Sequence, residues 1–477
     1  MTQDRTAASA IQLTVWGAAQ QVTGSMHLLT LPDDFRILVD CGFDMEPLTE
    51  PSDSTFPFDP ASIDVVLLTH AHMDHSGHIP NLIRQGFEGK VICTYATLEL
   101  TRLLLFDSAR LNEREQHRLK QKPTTRTRGP LGPEELFVAT DVEDALNVFE
   151  CHEPDTSFDL KPGVSVSLIT AGHLLGAVHM VVSVETAAGL RKIAFSGDLG
   201  RKGYPLLRDP QPLPPVDYLV METTYGNRAH QEKGQAMDVV AQAIQKACVD
   251  VPGRLIIPAF SVGRTQALLY TLNRLYQAKR LPPIRIFADS PLALQSTKVY
   301  AKYVDDMNAE ARNFARDNGE LFDFANLHYV KNMKQSREVN DYSEPSIIIA
   351  SSGMVEGGRI THHIRTNLQN PFATIFFIGY SSPGTFGHQL QHGRDTMRVK
   401  GQKTRIMAEI AATDVFSGHG DVNDLVSLVE NQEADRLRKI FLVHGDPSAM
   451  VDFKQTLGHI GYPQSEIAEK GKTYLLA

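Results

Sequence analysis

The sequence predicts an α/β protein whose strands and helices stack in layers of the αββα kind, and three observations carry that expectation. Short apolar β-type runs alternate with helix-like segments along the chain. In Val164-Ser165-Val166-Ser167-Leu168 apolar and polar residues alternate, as in a strand with one buried face. Between Arg264 and Leu275 the spacing Leu268, Leu272, Leu275 marks one apolar stripe of a helix.

Taken in order, the predicted strands are the runs Val65 to Leu68, Val164 to Ile169, Ile193 to Phe195, Tyr218 to Met221, Leu255 to Ile257, Ile284 to Phe287, Ile347 to Ile349, Ile375 to Ile378 and Ile440 to Val443. The proline-rich stretch Asp209 to Asp217 reads as a domain junction. A chain of 477 residues suits two or three domains. Its 42% hydrophobic and 22% charged content is that of a protein with a true core. No apolar stretch approaches the roughly 20 residues of a membrane span, so no membrane partner is expected. The N-terminus lacks a basic start followed by an apolar segment, which argues against a secretory signal. Cys41, Cys93, Cys151 and Cys248 lie far apart and form no CxxC pair, which fits a reducing, cytoplasmic setting and argues against a cysteine-ligated metal. The net charge of −9 runs against the basic balance of most nucleic-acid binders, so positive charge must come locally or from metal ions. One basic cluster stands out, Arg110, Arg114, Arg118, Lys120, Lys122, Arg126 and Arg128, against Glu113 and Glu115. Such a run is most often a solvated face, but its place between two metal-type motifs makes it a candidate polyanion contact.

Thr69-His70-Ala71-His72-Met73-Asp74-His75 carries the strongest chemical signal. It follows directly on a predicted strand and delivers three imidazoles and a carboxylate in one turn, donors that suit zinc and similar divalent ions. So many ligands in so short a stretch cannot all serve one tetrahedral ion, which points to two neighbouring ions. The same context recurs: His173 after Val164 to Ala171, Asp198 after Ile193 to Phe195, and His444 after Ile440 to Val443. A glycine beside each (Gly172, Gly197, Gly445) is expected to allow the backbone angles of a tight turn.

The set HxHxDH, AGHxLG and SGD, preceded by Asp40 in Leu38-Val39-Asp40-Cys41-Gly42 and by Val22-Thr23-Gly24-Ser25-Met26-His27, resembles the metallo-β-lactamase superfamily. Glu222 in Met221-Glu222-Thr223-Thr224-Tyr225-Gly226, His419 in Ser417-Gly418-His419-Gly420, and His444 narrow the resemblance to its β-CASP nucleases, short bacterial ribonucleases above all. Strings from Pro258 to Gln266, Asp289 to Leu292, Ser351 to Met354 and Gly384 to Gly387 extend it over nearly the whole chain. The resemblance implies an αββα metallo-β-lactamase sandwich in two pieces, residues 1–212 and 391–477, with an inserted α/β β-CASP domain, residues 213–390, and a cleft between them. It implies one ion on His70, His72 and His173, a second on Asp74, His75 and His444, Asp198 bridging them, and Asp40 orienting a ligand histidine. His78 and His179 receive no ligand role. The ions would be two Zn2+ per chain, with Mn2+ able to use the same groups. Relatives commonly form homodimers.

The implied reaction is hydrolysis of RNA phosphodiesters, internally, from the 5′ end, or both. Two ions activate one water, Asp74 belongs to the catalytic set as well as to the ligands, and His419, polarised by Glu222, supplies a proton to the departing 3′ oxygen. Phosphates held away from the ions would meet Arg264 in Gly263-Arg264-Thr265, the hydroxyls and amides of Ser351, Ser352 and Gly353, and Thr385. Three other functions share the fold: a DNA nuclease, a thioester or lactam hydrolase, and a metal-free scaffold. DNA-directed members carry valine where His444 stands. The small-molecule hydrolase leaves the inserted domain and the Glu222 and His419 pair without a task, and the scaffold leaves a full ligand set without one.

Overall fold

Val65 and Leu67 point to one face of their strand and Val66 and Leu68 to the other, and both pairs are buried, in different cores. That alternation, repeated across two sheets, builds the first of two bodies. The computed structural model describes residues 10–44, 56–121, 136–230, 236–382, 384–393, 395–399 and 401–477. The chain divides into a first body of Met1–Lys202, Asp209–Ala229 and His419–Ala477 and a second of Gly203–Arg208 and His230–Gly418.

Strands are numbered along the chain, so the first body holds β1 to β11 and β20 to β22. They are β1 (Ile11–Val15), β2 (His27–Thr30), β3 (Arg36–Val39), β4 (Val65–Leu67), β5 (Lys90–Thr94), β6 (Phe149–His152), β7 (Ser157–Lys161), β8 (Val164–Thr170), β9 (Val178–Thr186), β10 (Gly189–Phe195) and β11 (Tyr218–Glu222), then β20 (Lys439–Val443), β21 (Ser465–Ile467) and β22 (Thr473–Leu476). One sheet runs β22-β1-β2-β3-β4-β5-β6 and the other β21-β20-β11-β10-β9-β8-β7. Between them lie Leu13, Leu29, Ile37, Val39 and Leu67 from the first sheet against Val166, Leu168, Met180, Val182, Phe195, Val220 and Phe441 from the second. Each such side chain contributes about 1.5–3 kcal/mol by leaving water. The outer face of the first sheet packs Leu38, Val66 and Val91 against Ile79 and Leu82 of the helix Ile79–Arg84. The outer face of the second packs Leu219, Met221, Ile440 and Leu442 against Leu425 and Leu428 of the helix Val422–Glu430 and Phe453 and Leu457 of the helix Pro447–His459. Two sheets face to face with helices outside are the αββα sandwich expected.

The second body holds β12 (Arg254–Pro258), β13 (Arg285–Asp289), β14 (Leu327–Tyr329), β15 (Ser346–Ala350), β16 (Ala373–Phe377), β17 (Thr396–Val399), β18 (Gln402–Arg405) and β19 (Glu409–Ala412). Its main sheet, β14-β13-β15-β12-β16-β19, is parallel at every pairing, while β17 and β18 form a separate antiparallel pair. Parallel strands need crossover connections, and helices supply them: Arg264–Gln277 leads from β12 to β13 and Ile360–Asn367 from β15 to β16, each crossover stepping over one strand of the sheet. The helix Arg264–Gln277 is buried at every position from Thr265 to Asn273 and again at Leu275, far more than one apolar stripe implies.

All nine apolar runs read from the sequence are strands here. The two bodies divide after Lys202, Arg208, Ala229 and Gly418. Residues 213–229 stay with the first body because β11 pairs with β10 and β20 inside its sheet. Residues 391–418 stay with the second because β19 completes the sheet beside β16. The proline-rich stretch is therefore the return into β11. Among the described residues no helix is long and apolar enough to cross a membrane.

Candidate metal centre

In the second sheet β8 and β10 each run antiparallel to β9, and β10, β11 and β20 run parallel. Their carboxyl ends therefore share one edge, and each is followed at that edge by a residue able to hold a metal. His173 comes after β8, Asp198 after β10 and His444 after β20, and Glu222 ends β11. The first sheet sends His70 and His72 from the end of β4, and the short helix Met73–Ser76 adds Asp74 and His75. Backbone bonds lace the loops together: Gly200 N–H donates to Ala171 O at 2.8 Å and Gly420 N–H to Leu199 O at 2.7 Å.

The donors converge as two groups with Asp198 close to both, and a third, Asp198, Glu222 and His419, adjoins them. His70, His72, His173 and Asp198 form one, Asp74, His75 and His444 the other. Oδ2 of Asp198 stands 3.4 Å from Nε2 of His70 and 3.4 Å from Nε2 of His173. Its Oδ1 stands 3.3 Å from Nε2 of His75 and 3.6 Å from Nε2 of His444. Nδ1 of His72 lies 3.1 Å from Nε2 of both His70 and His173. Asp74 Oδ2 is 3.6 Å from His444 Nε2.

Outer partners fix which nitrogen faces inward. The Asp40 carboxylate lies 2.7 Å from His75 Nδ1. It also accepts from the Thr69 amide at 2.8 Å and the Thr69 hydroxyl at 2.9 Å, leaving that hydroxyl to accept from His70 Nδ1 at 3.1 Å. The Thr224 hydroxyl sits 3.0 Å from His444 Nδ1 and donates to His444 O at 3.2 Å. With their Nδ1 atoms engaged by these partners, His70, His75 and His444 turn Nε2 toward the centre. The sequence reading missed Thr69 and Thr224, although each adjoins or nearly adjoins a residue it singled out.

The electrostatics suit a cation. Burial, with the neighbouring His70, pushes His72 down to about 3, and burial also lowers His70 and His173. Those rings are neutral, the form that ligates. At His75 burial is outweighed by Asp198 and Asp40, and at His444 by Asp198 and Asp74, so both are raised. Asp198 is held well below the carboxylate range, burial being overcome by His444 and His75. Buried carboxylates at Asp40, Asp198 and Glu222 call for positive charge. Nε2 of His75, Nε2 of His444 and Oδ1 of Asp198 are buried without a hydrogen bond. Orphaned donors of metal-ligand type aimed at one point are what a pair of divalent ions would satisfy.

Backbone strain marks the same turns. Gly172 and Gly197 take the positive φ expected of them, 72° and 52°. At the third turn the left-handed residue is His444 itself, φ 50°, and Asp40 shares that conformation at 60°. Gly445 serves close approach instead, since a Cβ there would lie 2.4 Å from Thr223 Oγ1.

Beside the donor groups, Nδ1 of His419 lies 3.1 Å from both oxygens of Glu222 and 3.9 Å from Asp198 Oδ2. Glu222 is wholly buried and accepts the Leu199 amide at 2.6 Å. His78 and His179 belong to none of the donor groups. His78 packs against Phe43 and Phe56, and His179 Nδ1 meets Ser196 O at 2.6 Å.

The remaining candidates lie in the second body, four of them at the carboxyl ends of its parallel strands. The Arg264 guanidinium lies over the Phe260 ring at 4.8 Å, against the backbone of Gly379. The amide of Gly263 donates to Gln266 Oε1 at 2.7 Å. The Ser351 hydroxyl donates to Ser290 Oγ at 2.9 Å, and Ser352 Oγ is buried without a partner. Gly353 faces the Phe260 ring. The Thr385 hydroxyl caps the helix Phe386–Gln391 and donates to Ser382 O at 2.7 Å, so local structure already occupies it. Of the basic cluster, Arg110, Arg114, Arg118 and Lys120 ride the helix Tyr95–Gln121, with Arg118 paired to Glu115. Lys122, Arg126 and Arg128 lie outside the described residues.

Residues 20–232 match the metallo-beta-lactamase superfamily, 265–390 the Beta-Casp domain, and 403–464 the Zn-dependent metallo-hydrolase RNA specificity domain. A ribonuclease of Thermus thermophilus is 31% identical over 441 residues, 92% of this chain and 94% of its own length. A transcription termination factor of Methanosarcina mazei is 27% identical, covering 94% of this chain and 69% of its own. A crystal structure of a protein of unknown function from Enterococcus faecalis shares the fold at TM-score 0.53 and 13% identity, over 98% of this chain and all of that one. The chain belongs to the β-CASP family of the metallo-β-lactamase superfamily.

Proposed function

We propose that this protein is a ribonuclease that hydrolyses RNA phosphodiesters with two divalent cations, Zn2+ by donor type. The observation that carries the reading is Asp198, which offers Oδ2 to one histidine group and Oδ1 to the other. His70, His72 and His173 would hold one ion, Asp74, His75 and His444 the second, with Asp198 between. Such a pair supplies Lewis acidity, lowering the pKa of a water and offsetting phosphate charge.

The chain's own groups do the rest. Asp40 keeps the His75 ring turned inward. Glu222 fixes the His419 ring through Nδ1, so a protonated His419 has its other N–H, at Nε2, to pass to the departing 3′ oxygen. Arg264, Ser351, Ser352 and Gly353 would grip phosphates of the strand, and the orphaned Ser352 hydroxyl supports that assignment. Thr385 acts through its helix cap. The resemblance to a protein named a ribonuclease over 94% of that protein's length supports RNA as substrate. Four free cysteines, none paired in a disulfide, suit a cytoplasmic enzyme.

The test follows RNA labelled separately at each end, beside a matched DNA strand, with and without chelator and with His75→Ala as control. Cleavage of RNA that chelator and His75→Ala both abolish is expected, and the fragments give polarity. Intact RNA beside cleaved DNA or a cleaved thioester would overturn the reading.

A further inference from the structure

The second body contains a buried polar cluster that the chemistry above does not use. Asp289, the last residue of β13, is fully buried. Its Oδ2 lies 2.7 Å from His363 Nε2 and accepts the Ser336 hydroxyl, and its Oδ1 accepts Arg359 Nη1. Arg359 also donates to Val330 O at 3.2 Å, and His363 Nδ1 meets Asn340 Oδ1 at 3.1 Å. This is no nucleophilic triad, because Ser336 and His363 both address the carboxylate and neither addresses the other. The donors outweigh burial and hold the Asp289 carboxyl below its ordinary range.

What the carboxylate ties down is a loop. Residues 351–359 leave the end of β15 and return to Arg359, where the helix Ile360–Asn367 begins. The loop closes on itself: the Ile360 amide donates to Ser351 O at 3.2 Å, and a Cβ on Gly358 would stand 2.1 Å from that oxygen. Val355 and Gly358 both take positive φ, 64° and 70°. At its start, the Ser351 hydroxyl meets Ser290, the residue after Asp289. Asp289 therefore reaches both ends of the loop, Ser351 through its chain neighbour and Arg359 directly. A buried ion pair is seldom better for stability than apolar packing, so a geometric task is the better account of its presence.

We propose that Asp289 is a positioning residue that clamps the loop 351–359 and so sets Ser351, Ser352 and Gly353 in the geometry that receives an RNA phosphate, an inference that rests on the ribonuclease reading. The experiment uses the full, metal-loaded chain with Asp289→Asn, and His363→Gln as a second variant should the first fail to fold. Hydrogen–deuterium exchange reads the clamp without substrate, and exchange of amides 352–358 should accelerate while those of β4 and β20 stay as in the parent. Kinetics read the consequence: KM for a short RNA should rise roughly tenfold or more with kcat nearly constant. The effect should shrink when Ser351→Ala and Ser352→Ala are already present. Unchanged exchange in a folded variant overturns the clamp. Accelerated exchange with KM unmoved, both in the variant and in Ser351→Ala/Ser352→Ala, overturns the phosphate grip instead. A fall in melting temperature with parental exchange and KM reduces Asp289 to a stability role and refutes the proposal.

Discussion

Asp40 and His75 are thirty-five residues apart in sequence, yet the Asp40 Oδ2 stands 2.7 Å from His75 Nδ1, and both side chains are about 1% exposed. The carboxylate does not join the donor groups. It selects the tautomer of a ring that does, and it holds the Thr69 hydroxyl that faces His70. Asp40→Ala should weaken metal affinity by roughly 10–100-fold. Competition with a chromophoric chelator measures it. Parental affinity in a folded variant would show that the histidine rings need no such orientation.

The contact between Glu222 and His419 makes a different prediction. If His419 supplies a proton, His419→Ala should lower kcat by about 10²–10⁴-fold while leaving two metal ions per chain. Glu222→Gln should lower kcat less, because an amide oxygen still accepts from Nδ1. Atomic absorption alongside the kinetics decides it. Loss of an ion in His419→Ala would instead make His419 a ligand, a role its place near Asp198 and Glu222 also allows.

Removing residues 438–477 takes away His444, but it also removes β20 and β22, which pair with β11 and β1 in the two sheets. That truncation should lose the fold as well as an ion. His444→Ala isolates the ligand, and metal content should fall from two ions toward one with the circular dichroism spectrum kept. Two ions retained with undiminished affinity would contradict the assigned group.

Burial presses His78 and His179 down to about 4, each from an ordinary value of 6.5. Between those values the unfolded chain binds more protons than the folded one, so stability rises with pH. The contribution is complete above about 6.5 and drains away as pH falls toward 4, on the order of 3 kcal/mol from each ring. Urea midpoints from pH 7 to pH 4.5 should fall, and less steeply in His179→Asn, whose amide can still meet Ser196 O. Equal slopes for parent and variant would exclude His179 as a contributor.

The strands of the sandwich and the metal donors were legible because each is a local pattern. An apolar run shows itself over four residues, and His70 to His75 announces its chemistry in six. What the sequence withheld depends on contacts across the chain. Thr224 orients His444 from 220 positions away, and nothing in its immediate surroundings distinguishes it from a turn threonine. Where the compact bodies divide also depends on distant contacts, since strand pairing and not composition assigns β11 and β19 to their sheets. Asp289 stood in a string noted for its resemblance, yet its partners at 336, 359 and 363 come together only through folding.

The donors do not emerge together during synthesis. Those of the first group are all made by residue 198, whereas the second waits for residue 444. A growing chain therefore holds the whole first donor group some 246 residues before it can complete the second. On the proposed ribonuclease reading, chains arrested before residue 444 should leave RNA intact.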